Sequence, residues 1–322
     1  MHPLRSGLRV GVAALAALAL TACTGGHSGR AVAGRDTVVV YAAASLAAPL
    51  RALADSYGER TGTVSQIEIG GSLEHARKLT ELHRIPDVLV LADYEVLASL
   101  MPKYLHWYLS FANNRMVIAY TSRSHGARTI DGANWSDVLA QPGVRIGRPD
   151  PSTAPAGYRA LLMLQLAERD LAEPGLAARV LANAGPRFLR PNASELAVLL
   201  EAGEVDYIID YESVARAHHF EYVTLPTSID LSDPDSTVSY ERASVRVVGA
   251  TGDTVTMRGQ PILYALAIPD SAPHPAAARR WVAALLGDSG TRDFRAAFVD
   301  MLANPRLTGT GAPPEVTARV AR

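Results

Sequence analysis

The chain has 322 residues, 31 Lys and Arg against 32 Asp and Glu for a formal charge of −1, and a single cysteine. That length makes one large domain or two ordinary ones. The charge balance leaves no basic stripe for nucleic acid, and one cysteine gives neither a disulfide framework nor a thiolate cluster. No repeat with a period of ~20–50 residues indicates a solenoid.

Residues 1–9 carry Arg5 and Arg9, residues 10–20 are apolar apart from one glycine, and the run ends in Leu20-Thr21-Ala22-Cys23. This order predicts a secretory signal peptide over residues 1–22, too short to span a bilayer, which takes ~20 apolar residues. Leu-Thr-Ala-Cys is similar to a bacterial lipobox. The resemblance implies lipidation at Cys23, an exported chain held at the extracytoplasmic or periplasmic face of the cell membrane, and a tether over residues 23–36. Each buried CH₂ of an acyl chain contributes ~0.8 kcal/mol, so two or more chains anchor firmly.

The body begins with an apolar strand over residues 38–41. A helix over 46–59 follows, with Leu46, Leu50, Leu53, Ala54 and Tyr57 on one face. A strand at 64–69, a helix at 73–82, a strand at 87–91 and a helix at 94–101 opened by Asp93 continue the alternation. Such order predicts a parallel sheet with helices on both faces. Further strands are expected at 114–120, 144–147, 187–189, 207–210 and 222–225, among helices at 157–169 and 194–202. A late strand at 261–268 precedes helices at 276–286 and 291–298. The reading is α/β, with a first lobe from residues 37–112 plus 261–304 and a second from 113–226. Residues 227–260 form a polar connection of mixed strand and loop character. Residues 305–322, with Gly-Thr-Gly and Pro-Pro, read as a loose tail.

Two strand-to-helix turns share a pattern: Ala42-Ala43-Ala44-Ser45-Leu46 and Gly70-Gly71-Ser72-Leu73. Small residues followed by serine at a helix start suit an anion, because the first N–H groups lack partners and the dipole end is positive. Serine is also a favoured N-cap and most such serines only cap a helix, so it is the pair of turns in consecutive β-α units, facing one edge, that points to a ligand. A third turn, Ile209-Asp210-Tyr211-Glu212-Ser213, offers Asp210 as a helix cap or as a ligand group. Near a dianion a carboxylate needs a reason. It accepts a proton from a protonated oxyanion, or it binds a metal centre that expands its coordination. Sulfate offers neither.

Ala44-Ser45-Leu46, Gly71-Ser72-Leu73-Glu74, Ala92-Asp93-Tyr94, Met101-Pro102-Lys103-Tyr104, Phe111-Ala112-Asn113-Asn114, Gly157-Tyr158-Arg159-Ala160, Leu199-Leu200-Glu201-Ala202-Gly203-Glu204 and Leu231-Ser232-Asp233-Pro234 occur in that order. The set resembles the tungstate/molybdate-binding proteins of ABC importers, in their archaeal-type branch. The resemblance implies a type II periplasmic-binding fold, two α/β lobes joined by hinge strands that close on the ligand. It implies a monomer with no cofactor, partnered by ABC permease subunits, and a site at Ala44, Ser45, Gly71 and Ser72. Ala156 and Gly157, at another helix start, are further candidate backbone N–H donors, and Tyr211 is either a phenol donor or a core tyrosine buried with its hydroxyl paired. Asp210 stands where the family usually has glutamate, in direct contact with the tungsten or molybdenum centre. A second family carboxylate falls on Ala154, a departure that leaves the coordination number open, and Asp150 lies four residues earlier.

Other classes fit less well. No Gly-x-Ser-x-Gly is present, no cysteine follows Cys23, and His75, near Ser72, is expected on a helix surface, so no enzyme is indicated. Another tetrahedral oxyanion, phosphate or sulfate, remains the alternative ligand. Ferric iron is a weaker one, since adjacent His218-His219 is a poor chelating pair on a helix.

Overall fold

The computed structural model describes residues 36–320; the predicted signal peptide, Cys23 and nearly all of the tether lie outside the described residues. Strands β1 (Thr37–Ala43), β2 (Val64–Gly70), β3 (Val88–Leu91) and β4 (Trp107–Asn113) lead into β5 (Met116–Tyr120), β6 (Ile146–Pro149), β7 (Leu189–Arg190), β8 (Tyr207–Tyr211) and β9 (Glu221–Thr224). A hairpin, β10 (Ser244–Val248) and β11 (Thr254–Arg258), precedes β12 (Leu263–Ala267) and β13 (Asp300–Gly309). One sheet runs β13-β4-β12-β3-β1-β2 and the other β7-β6-β8-β5-β9. The protein is therefore a two-lobed α/β molecule, each lobe built on one sheet.

The first sheet is mixed rather than parallel. β1 pairs parallel with β2 and β3, but β12 and β13 run antiparallel to their neighbours. The chain leaves this sheet after β4, builds the second lobe and comes back as β12, so the returning strand enters reversed. β3 reads Val-Leu-Val-Leu and is wholly buried, as expected of a central strand covered on both faces.

Register decides where the turns go. In the β1–β2 pair Ala43 lies opposite Gly70, so residues 44–46 and 71–72 leave the sheet at one edge. In the β6–β7 pair Pro149 lies opposite Arg190, which does the same for the segments after 149 and 190. The lobes are joined by two crossing segments side by side. Asn114 N–H donates to Ile262 O at 3.4 Å, Met116 N–H to Asp230 O at 2.9 Å and Ile262 N–H to Leu231 O at 2.8 Å.

Two regions gain definition beyond the sequence reading. Residues 227–260 contain the β10–β11 hairpin, which touches both lobes: Gln165 exchanges hydrogen bonds with the Ser244 backbone, and Thr80 Oγ1 donates to Ala250 O at 2.8 Å. Residues 305–322 are not a loose tail as far as Val320. Residues 305–309 complete β13, an edge strand on β4, and the helix Pro314–Val320 buries Val316. The edge strand satisfies its ladder with alternating exposed residues, so it shows no apolar run. No helix of the described residues is long and apolar enough to cross a membrane.

Candidate functional site

A small cavity of about 20 Å³ lies where the two lobes meet. A single water needs ~10–15 Å³ on this scale, so the space suits one compact group and not an extended solute. The first lobe lines it with Ala44 and Ser45, with Gly71 and Ser72, and with Ala92 at the end of β3. The second lobe contributes Ala154, Pro155 and Ala156 on one side and Asn192 and Ala193 on the other. No charged side chain lines it.

Each lining segment opens a helix. Ala44–Leu46 is a 3₁₀ turn running into the helix Ala47–Thr61; Ser72, Pro155 and Ala193 are the first residues of the helices Ser72–Thr80, Pro155–Asp170 and Ala193–Ala202. Local chemistry sets these starts: Pro155 suits the first turn, and Asn192 caps its helix by accepting Glu195 N–H at 3.1 Å. Each α-helix N-terminus carries a partial positive charge equivalent to ~0.5 of a proton charge. Their convergence makes the cavity electropositive without a cation.

Both serines are held by the protein. Ser72, fully buried, accepts Ala92 N–H at 3.0 Å on Oγ, and Ser45 Oγ accepts the hydroxyl of Tyr264 at 3.1 Å. The lobes meet tightly here. Leu73 N–H and Glu74 N–H donate to Thr153 O at 3.0 and 3.4 Å, from one lobe to the other. Gly71 is required at that approach, since a Cβ on it would stand 2.3 Å from Thr153 O. Gly157 is equally confined: a Cβ there would stand 2.5 Å from Pro149 O.

A buried ion pair sits behind the cavity. Arg159 and Asp93 are 1 % and 2 % exposed, and Arg159 Nη2 lies 2.9 Å from Asp93 Oδ2. Arg159 Nη1 donates to Ala92 O at 2.6 Å and to the Tyr211 hydroxyl at 2.7 Å, and Tyr158 donates to Asp93. Arg159 is thus a tie between lobes and does not line the cavity.

Of the residues singled out in the sequence, Ala44, Ser45, Gly71, Ser72 and Ala156 come together at the cavity. Gly157 does not line it, and its N–H donates to Ala154 O at 2.9 Å. Asp210 and Tyr211 end β8 just behind, outside the lining, with the Tyr211 phenol accepting from Arg159. Asp210 is fully buried. Oδ1 accepts Tyr211 N–H at 2.7 Å, Oδ2 has no partner, and burial pushes the carboxyl up to about 7. Ala154 puts a methyl into the cavity wall. Asp150 does not replace it, because its carboxylate is turned onto the N–H and hydroxyl of Ser152.

His75 overturns the expectation of a surface residue. It is fully buried, stacks on Tyr41 at 5.0 Å, and its Nε2 lies 3.1 Å from Ala42 O, so it braces the first turn and does not serve Ser72 as a base. Asn192 and Ala193 were missed by sequence reasoning. The signal was present in Pro191-Asn192-Ala193-Ser194-Glu195, an Asn cap with Glu three residues on. Among the described residues no group of three or more His, Cys, Asp or Glu is placed to hold a metal ion.

Two lobes joined by paired crossing segments, with a cavity between them, give the architecture of the two-lobed binding proteins. The chain belongs to the bacterial extracellular solute-binding protein family, whose model matches residues 38–298. It is a family of binding proteins, not enzymes, and membership implies export. An uncharacterised solute-binding protein of Petrotoga mobilis is 40% identical, covering 79% of this chain and 80% of its own. The molybdate/tungstate-binding protein of Pyrococcus abyssi is 30% identical over 98% of this chain and 99% of its own. Among solved structures, the Azotobacter vinelandii periplasmic molybdate-binding protein superposes with a TM-score of 0.59 at 16% identity, covering 81% of this chain and 98% of its own. The Mycobacterium tuberculosis sulfate-binding protein also reaches 0.59, at 15% identity, covering 84% and 88%. At such identities these two structures speak for the fold alone.

Proposed function

We propose that this protein captures a tetrahedral oxyanion, molybdate or tungstate, outside the cytoplasm and delivers it to the permease of an ABC importer while held to the membrane by a lipid on Cys23. The observation that carries the reading is the neutral, donor-lined cavity: two serine hydroxyls and converging helix N-termini around a space for one small ion. A cation would meet the wrong end of every dipole there, and no carboxylate lines the wall. The full-length similarity to archaeal proteins named for molybdate and tungstate supports the choice of anion. Cys23 supports the anchor, since it ends an apolar run in Leu-Thr-Ala-Cys.

Ser45, Ser72 and the N–H groups of the first two turns hold the ligand from one lobe. Ala156 and the Asn192–Ala193 turn close on it from the other. Ala154 contributes no carboxylate, so the anion is held through its oxygens. Asp210, behind the wall, stays largely neutral when an anion sits nearby, because a second negative charge raises its carboxyl further.

Calorimetric titration of the full chain with molybdate, tungstate, sulfate, hydrogenphosphate and ferric ion is the direct test. Failure of both group-6 oxyanions to bind overturns the reading. Ser45→Ala with Ser72→Ala is expected to cut affinity by at least a hundredfold, as two hydrogen bonds to a charged ligand are worth ~1.5–3 kcal/mol each. Retention of affinity within a few-fold reduces both serines to helix caps. For the anchor, Cys23→Ala is expected to move the protein from the membrane fraction to the soluble one.

A further inference from the structure

Resting on the reading above, we infer that Asn114 and Tyr264 are positioning residues that fix Ser45 as a hydrogen-bond donor toward the cavity, and so select a fully deprotonated oxyanion over a protonated one. Neither residue lines the cavity. Their influence runs through the direction of three hydrogen bonds.

The chain starts at the crossing between the lobes. Asn114 Oδ1 accepts Arg115 N–H at 2.9 Å and Ser213 N–H at 3.4 Å. Backbone N–H groups only donate, so the amide has one orientation and Nδ2 faces the other way. Nδ2 then donates to Ser213 Oγ at 2.7 Å and to the Tyr264 hydroxyl at 2.8 Å. An amide NH₂ has no lone pair to offer, so Tyr264 keeps its single proton for another partner. That partner is Ser45 Oγ at 3.1 Å. Tyr264 is buried, and burial raises its phenol above the ordinary range, so the proton is present under all physiological conditions.

Ser45 therefore accepts from Tyr264 and directs its own proton elsewhere, and the cavity is one of the two spaces it borders. Ser72 repeats the device with a backbone donor, since its Oγ accepts Ala92 N–H. Both serines meet the ligand with a proton. An oxyanion with four bare oxygens matches that. An oxyanion carrying a hydrogen needs at least one acceptor, and a serine that keeps its bond from Tyr264 or Ala92 offers its remaining lone pair only by turning its own proton away from the ligand. Asp210 Oδ2, a buried acceptor without a partner, is not part of the lining. A site able to hydrogen-bond rejects a ligand of the wrong polarity more strongly than one of the wrong size.

The test is a double-mutant cycle on the full chain, titrated at neutral pH with molybdate and with hydrogenphosphate. Tyr264→Phe frees Ser45 to rotate and accept. Molybdate affinity is expected to fall about tenfold and hydrogenphosphate affinity to hold or rise, so the ratio narrows about tenfold or more. In the Ser45→Ala background Tyr264→Phe is expected to leave the ratio unchanged, because the relay no longer ends on a hydroxyl. Asn114→Asp replaces the donor with an acceptor and reverses the relay, and is expected to lower molybdate affinity further than Tyr264→Phe. A merely structural role for Tyr264 would weaken both anions alike in either background, and that result overturns the inference. So does a wild-type protein that prefers hydrogenphosphate. If the wild type binds neither anion, it is the oxyanion reading itself that has failed. Urea unfolding of each variant separates loss of the relay from loss of the fold.

Discussion

Gly71→Ala isolates lobe closure from folding. Gly71 has φ −78° and ψ 142°, a conformation open to any residue, so alanine brings no backbone strain within its own lobe. The obstacle is on the other lobe: the new Cβ would stand 2.3 Å from Thr153 O and 2.7 Å from its carbonyl carbon. Both atoms are backbone, so the second lobe must retreat by about an ångström to reach ordinary contact distance. That breaks the Leu73 and Glu74 bonds to Thr153 O and draws Ala154 away from the cavity. Overpacking costs ~1–3 kcal/mol and two lost bonds ~1 kcal/mol each, much of it relieved by the lobes parting. A net ~2–4 kcal/mol against closure lowers affinity by roughly thirty- to a thousandfold. The ligand-free protein is expected to unfold in urea within ~1 kcal/mol of wild type, because neither sheet is touched. Calorimetry with molybdate, paired with urea unfolding, decides it. Unchanged affinity, or a loss of affinity matched by an equal loss of ligand-free stability, refutes the reasoning.

The buried tie gives a second expectation: Arg159→Met leaves the buried Asp93 without a counter-charge, held by Tyr158 and Glu95 N–H alone, and is expected to cost ~3–5 kcal/mol by urea unfolding, while Arg159→Met with Asp93→Asn recovers most of it. A third concerns pH. Burial raises Asp210 from 3.8 to about 7, so its contribution is complete below about pH 4 and is lost as pH rises to about 7, up to ~4 kcal/mol in all. Burial lowers His75 from 6.5 to about 4, so its contribution is present above 6.5 and is lost as pH falls to about 4, up to ~3 kcal/mol. The two oppose each other in the shared window. Asp210→Asn is expected to make the ligand-free protein lose stability as pH falls through that window, and His75→Gln to make it gain, each with a slope of ~1.4 kcal/mol per pH unit relative to wild type; parallel profiles for all three proteins would refute the assignment.

Much of this was legible because it is local. The β-α alternation of the first ninety residues follows from periodicity, and the serine turns follow from small residues before a helix start. The edge they share follows from the in-register pairing of two strands of equal length. Asn192 was legible in principle through its cap pattern. The hairpin of residues 244–258 was harder, since its strands expose alternate residues and its packing partners, Thr80 and Gln165, are far along the chain.

Other features have no local signal at all. Nothing near His75 says that Tyr41 will cover it, and nothing near Arg159 says that Asp93 will neutralise it. The direction of the Asn114–Tyr264–Ser45 relay depends on atoms from three distant segments. The sequence by itself determined a two-lobed α/β protein with small-residue serine turns at one sheet edge, because propensity, periodicity and helix-start chemistry act within a few residues. Only the tertiary structure decided which turns face one another, that Asp210 stands behind the wall and not in it, and which way each hydroxyl points. Those depend on burial and on hydrogen-bond partners brought together by the crossing of the chain between its lobes.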